Sequence, residues 1–221
     1  MNKKRHTVRQ RTIKKGGLFF QEGRPWHEKR RAKKLLIEPE VMVLLSGGLD
    51  SAACVHFYVD FGRTPLGLFI DYGQLAAGNE SRSARAVAAY YSVPLICLTW
   101  RGWLPKPIGL IQARNLFLLS AAMMERPDSI SVIALGIHSG TNYPDSSESF
   151  LARVQSACDV YEQGRVKLAA PFLNWSKADI HAYCLQEDVP VHLTYSCESG
   201  GRRPCGECPS CKERQMLYVS T

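Results

Sequence analysis

Two short stretches of the chain hold residue types whose spacing fits a definite chemistry. The first is Ser46-Gly47-Gly48-Leu49-Asp50-Ser51. Adjacent glycines let a backbone turn tightly and aim successive N–H groups at phosphate oxygens. Ser46 and Ser51 add hydroxyl donors, and Asp50 offers a carboxylate to a phosphate-bound Mg2+. The second stretch is Cys197, Cys205, Cys208 and Cys211, four thiols within 15 residues, set among Gly200, Gly201, Pro204, Gly206 and Pro209. Two-residue gaps let one turn present neighbouring sulfurs to a single ion, and four thiolates complete a tetrahedral zinc site. Zn2+ is therefore the expected metal, with an iron–sulfur cluster as the main rival because it accepts the same gaps. With every position filled by protein, such an ion holds structure and offers no open site for catalysis.

The phosphate reading requires a strand before the turn and a helix after it. Residues 41–45 are a short continuous apolar run, as expected of a buried parallel strand, and residues 51–58 suit a helix. Further strands are expected at 66–70, 94–98 and 130–137, and helices at 80–91, 114–125 and 147–163. Ser176 is placed to cap a last helix running through Cys184, with Asp179 as the acidic partner of a capping box. Strands alternating with helices predict an α/β fold with a doubly wound, mostly parallel sheet. Ligands in such sheets sit beyond the carboxyl ends of the strands. The helix start behind the glycines then adds unpaired N–H donors and the positive end of its dipole. An ordinary strand–turn–helix link would also tolerate two glycines. Strand, helix and both serines agreeing favours phosphate, although the G-x-x-x-x-G-K-[ST] spacing of a Walker loop is absent.

SGGLDS after the first strand resembles the pyrophosphate loop of the PP-loop ATPases, which fold as adenine nucleotide alpha hydrolase-like domains and activate a substrate oxygen by adenylation. Together with the C-terminal Ser-Cys…Pro-Cys-Gly-Glu-Cys-Pro-Ser-Cys segment, it resembles the 7-cyano-7-deazaguanine synthases, the QueC family of queuosine biosynthesis. Asp71-Tyr72-Gly73-Gln74, Arg114-Asn115, Tyr143-Pro144-Asp145 with Phe150, and Ala170-Pro171-Phe172 with Lys177 fall in the family's order, so the resemblance spans nearly all of residues 41–218. It implies an AMP-forming, ATP-dependent carbon–nitrogen ligase acting on 7-carboxy-7-deazaguanine and ammonia, with ATP and Mg2+. The nucleotide contacts it implies are Leu45, Ser46, Gly47, Gly48, Leu49, Asp50, Ser51, Ala52, Ala53 and Asp71. Asp50, Lys177 and Arg114 would stabilise the reacting phosphates, and Arg114, Tyr143 and Asp145 would orient the deazaguanine. Taken singly, Asp71 reads as the end of a strand, Arg114 as a helix cap and Lys177 as a solvated side chain.

The chain also departs from the family. Ile111-Gln112-Ala113-Arg114-Asn115 stands where the family has V-P-G-R-N. Ser139-Gly140-Thr141-Asn142-Tyr143-Pro144-Asp145-Ser146 lacks a carboxylate, a glycine and a cysteine of D-x-S-G-Y-P-D-C. Residues 99–112 form a shorter connection than the family's substrate-covering excursion. An alternative reading is a relative that passes the activated deazaguanine to an amine on a partner protein, as QueC-like proteins of antiviral gene clusters are thought to do. A second alternative is a zinc-containing nucleic-acid-binding protein, although such a binder has no need of SGGLDS. An open site exposes an acyl-adenylate to water, so a homodimer or a partner complex is expected to cover it.

Charge divides the chain unevenly. The net charge is +8, yet residues 1–38 carry 13 Lys/Arg against three acids, while the remaining 183 residues carry 15 against 17. The expected organisation is a basic arm at 1–38, a nucleotide-binding domain at 39–190 and a four-cysteine zinc segment at 191–221 packed on it. Such an arm suits RNA or an acidic protein, or is simply a solvated tail. No apolar run approaches a membrane span and no secretory signal is evident, so a cytoplasmic protein without membrane contact is expected. Cys54, Cys97, Cys158 and Cys184 read as buried free thiols.

Overall fold

All four residues of β1 (Val41–Leu44) are buried, as a strand covered by helices on both faces must be. The computed structural model describes residues 38–103, 106–141 and 143–219, which belong to one compact unit. The basic arm, apart from Glu38, lies outside the described residues. After β1 the chain runs α1 (Leu49–Asp60), β2 (Pro65–Asp71), α2 (Ala77–Tyr91), β3 (Leu95–Thr99), α3 (Arg114–Glu125), β4 (Val132–Leu135), α4 (Glu148–Glu162), β5 (Lys167–Ala169), α5 (Lys177–Gln186) and α6 (Pro209–Val219).

The five strands are parallel in the order β3-β2-β1-β4-β5, with Val43 facing Gly67 on one side and Ala134 on the other. The side-chain alternation of β1 feeds two cores. Val41, Val43 and Leu45 pack with α1, α2 and α5 residues such as Val55, Val87 and Ile180. Met42 and Leu44 pack with α3 and α4 residues such as Leu119 and Val154. The sheet is thus doubly wound, as the sequence predicts. Chain order reverses between β1 and β4, so a crevice opens where the loops after those two strands separate.

The capping box at α5 is present: Ser176 Oγ accepts from the Asp179 N–H at 3.2 Å, and Asp179 Oδ2 accepts from the Ser176 N–H at 3.0 Å. Two elements had no expectation behind them. β5 is three residues long and opens on an exposed lysine, too short for any periodicity to show. α6 begins at Pro209 inside the cysteine cluster and carries Cys211 itself. One expectation is corrected. Cys54, Cys158 and Cys184 are buried, but Cys97 is exposed, because β3 is an edge strand whose residues alternate between half-buried and exposed at that point. Among the described residues no helix is long and apolar enough to cross a membrane.

Candidate functional site

The β1–α1 turn is shaped by backbone before any side chain acts. Gly47 has φ +82°, and a Cβ there would lie 2.6 Å from the Glu80 carbonyl oxygen and 2.7 Å from the Ala84 nitrogen of α2. Only glycine meets both demands. Gly48 is the N-cap of α1 and gives its first amides no side-chain cap, so those donors face the crevice. Ser51 Oγ donates to the Gly48 carbonyl at 2.9 Å, and Ser46 Oγ donates to Ser51 Oγ at 3.2 Å. Across the crevice, Gly136 at the end of β4 admits α1 closely: a Cβ there would sit 2.5 Å from the Asp50 carbonyl oxygen.

These elements wall a cavity of about 570 Å³. Its phosphate-loop end carries Ser46, Gly48, Leu49, Asp50 and Ser51, and α5 brings Lys177 to face them. Lys177 Nζ donates to Asp50 Oδ1 at 2.8 Å and Oδ2 at 2.7 Å, and stands 3.6 Å from Glu213 Oε2. Burial alone would push the ammonium's pKa down, but Asp50 and Glu213 outweigh it and hold it raised. His138 is buried beside them with Nε2 4.0 Å from Glu213 Oε1, and burial holds it below its ordinary value. At the β2 end, Glu80 Oε2 accepts from Gln74 Nε2 at 2.7 Å, while burial pushes the Glu80 carboxyl upward. Tyr72, Arg114 and Tyr143 line the same cavity.

The sequence-predicted residues divide on this geometry. Lys177, Arg114, Tyr143, Asp50 and the loop serines share the cavity wall. Leu45, Ala52 and Ala53 are fully buried beneath it, where they pack the loop onto the sheet. Gly47 is buried as well, with its carbonyl accepting from Tyr195 N at 2.9 Å. Asp71 turns to Arg101 through two hydrogen bonds of 2.9 and 3.0 Å, and Arg101 holds its carboxyl below the usual range. Asp145 is buried and accepts from the Asn115 N–H at 3.3 Å, so it caps the start of α3 from another loop. Sequence reading missed Glu80, His138, Tyr195, Glu198 and Glu213. Tyr195, Glu198 and Glu213, each within two residues of a clustered cysteine, offered a signal of position.

The four cysteine sulfurs lie within 4.8 Å of one another. A tetrahedron of Zn–S bonds of about 2.3 Å has sulfur–sulfur edges of about 3.8 Å, so the cluster fits such an ion. Its electrostatics agree. Burial raises the Cys197 thiol, but hydrogen bonds from Ser199 and the Cys205 N–H bring it down to about 6, while burial pushes Cys211 up to about 12. Four crowded thiolates need a cation to ionise together. The segment grips the rest of the molecule: Asn79 Nδ2 donates to the carbonyls of Gly200 and Gly201, at 3.0 Å each.

Comparison with known proteins follows the same lines. The family model described as queuosine biosynthesis protein QueC matches residues 105–221. A 7-cyano-7-deazaguanine synthase of Synechococcus sp. (strain RCC307) is 31% identical, covering 78% of this chain and 91% of the relative. Another, from Acetivibrio thermocellus, is also 31% identical, covering 77% and 88%. Among solved structures, a predicted subunit of tRNA methyltransferase from Methanocaldococcus jannaschii matches with a TM-score of 0.50 at 17% identity, over 66% of this chain and 74% of that one. That last likeness is one of fold.

Proposed function

Because this chain belongs to the QueC family of queuosine biosynthesis proteins, we propose that it is an AMP-forming, ATP-dependent ligase that converts 7-carboxy-7-deazaguanine and ammonia into 7-cyano-7-deazaguanine. The substrate carboxylate attacks the α-phosphate of ATP, giving an acyl-adenylate and pyrophosphate. Ammonia adds to the acyl carbon, AMP leaves, and an amide remains. The amide oxygen then attacks the α-phosphate of a second ATP, releasing pyrophosphate again, and AMP departs with that oxygen as nitrogen loses a proton, leaving the nitrile.

The observation that carries this reading is the arrangement of Lys177 and Asp50 at the uncapped start of α1. A chain of this kind needs no nucleophilic side chain. It needs positive charge where the pyrophosphate departs, and preorganised donors supply that without reorganisation. The α1 amides, Ser46, Ser51 and Lys177 converge there, and Arg114 adds a second cation on the cavity wall. Asp50 would hold Mg2+, which when bound neutralises phosphate charge. Cys197, Cys205, Cys208 and Cys211 would hold Zn2+, whose contribution is to folding. The cavity's Tyr72, Tyr143, Glu80 and Arg114 end is then left for the deazaguanine.

The test is pyrophosphate exchange into ATP. The deazaguanine acid should stimulate exchange, and addition of ammonia should yield amide and then nitrile. Release of orthophosphate as the sole phosphate product excludes the mechanism. Stimulation by a different carboxylate alone keeps the ligase class and removes this substrate.

A further inference from the structure

The cysteine segment meets the cavity at a second point that the proposed chemistry does not use. Glu198 follows Cys197 directly, and both of its oxygens are engaged. Oε1 accepts from Ser210 N at 3.1 Å and Ser210 Oγ at 2.6 Å, at the start of α6. Oε2 accepts from Gly109 N at 2.6 Å. Gly109 lies in the β3–α3 connection, 89 residues away, at a turn with φ +88°. Pro107, Gly109 and Ile111 form one part of the cavity wall, and Glu198, Ser210 and Glu213 form the part that meets it. The Glu198 carboxylate thus joins two parts of the wall that lie 89 residues apart in the chain.

We propose that Glu198 is a positioning residue that seals the cavity, by fastening residues 106–113 to the cysteine segment. The inference rests on the acyl-adenylate reading above for its functional consequence. If the wall parts, water adds to the acyl carbon, AMP leaves, and the free acid is regenerated with an ATP consumed for nothing. Trp100 against Phe117 and Lys106 over Trp100 hold the start of the connection, and the charge-assisted bond at Gly109 ties it to the cysteine segment. The cysteine segment then has two tasks: it holds itself together around its metal, and it holds the cavity shut.

Glu198→Gln separates these tasks. The amide oxygen still accepts from Ser210, while its NH2 faces the Gly109 N–H and cannot accept. Gly109→Ala approaches from the other wall: its Cβ meets nothing within 4 Å, but alanine is strained at φ +88°. Both variants should keep zinc, measured by metal analysis, and keep pyrophosphate exchange stimulated by the deazaguanine acid. Amide hydrogen exchange across residues 106–113 should quicken about ten-fold, the equivalent of one lost charge-assisted bond. AMP formed per amide produced should rise in step, an uncoupling that a purely structural defect does not give. Ser210→Ala, which leaves the Gly109 bond intact, should show wild-type coupling. Unchanged hydrogen exchange, or unchanged coupling in both wall variants, overturns the proposal. A wild-type protein that shows no exchange with the deazaguanine acid removes the proposed reaction instead, and the hydrogen-exchange arm then decides the seal by itself.

Discussion

The phosphate loop and the cysteine segment border one cavity but are held by opposite means. The loop hangs between β1 and α1, with Leu45, Ala52 and Ala53 fully buried beneath it. Its shape is fixed by packing that exists whether or not a ligand is bound. Among the described residues, the buried cluster of the cysteine segment is Cys197, Cys208 and Cys211, with Tyr195 against it. Three thiols and half a ring bury too little apolar surface to order some twenty residues, since each costs about 1–2 kcal/mol of backbone entropy. The loop is a site presented by a scaffold, while the segment has a four-cysteine cluster that could hold an ion where its own apolar burial is small.

The largest expected effect breaks that comparison at its weaker side. Cys208→Ser, or a strong chelator, should remove the metal and unfold the segment, taking Glu198 and Glu213 off the cavity. The sheet core should melt separately and later. Metal analysis with two-phase thermal unfolding checks this, and a metal-free protein with unchanged stability overturns it.

Asp50→Asn is the converse, a lesion on the scaffold side. Pyrophosphate exchange should fall by about 10²–10³-fold, the scale of losing a group preorganised for developing charge, with the fold and the zinc content kept. A loss of metal in this variant would mean that the two regions are less separable than their construction suggests.

Lys177 is where the regions meet, since it touches Asp50 on α1 and Glu213 on α6. Its folded-state pKa is raised above the ordinary 10.5, so its stabilisation is complete below that pH and lost only as pH climbs through the higher folded value. Lys177→Met should therefore be less stable than wild type by a constant amount from pH 7 to about 10, and the gap should close in stronger alkali. Denaturant melts across that range measure it. A gap that closes near neutrality would point to another group.

The smallest effect concerns the scaffold's own strain. Ala113, the N-cap of α3, has φ +59°. Ala113→Gly relieves a left-handed alanine but loosens the unfolded chain, so a gain of up to about 1 kcal/mol is expected. Denaturant melts of the purified protein should show the gain, and an equal or lower stability overturns it.

Much of this was legible before folding. Each strand and helix that was expected from an apolar run or a cap is present within a few residues, because burial on both faces writes continuous runs into a parallel strand. What was missed is short or disguised: β5 has three residues, and α6 begins among cysteines and glycine. The candidate site was legible where its residues are contiguous, in the loop and the cysteine spacing. Asp71 and Asp145 show the limit. Both stand in recognisable motifs, yet one turns to Arg101 and the other caps α3.

The sequence by itself determined the glycine turn before α1 and the gathering of four sulfurs, because each depends on local spacing that a turn converts directly into geometry. It also determined the alternation of elements that makes the sheet. Only the tertiary structure decided that Glu213 faces Lys177 and His138, that Glu198 reaches Gly109 across 89 residues, and that Tyr195 binds the Gly47 carbonyl. Such pairings leave no trace in spacing, because they depend on where the cysteine segment comes to rest against the rest of the fold, and that is set by packing rather than by neighbours in the chain.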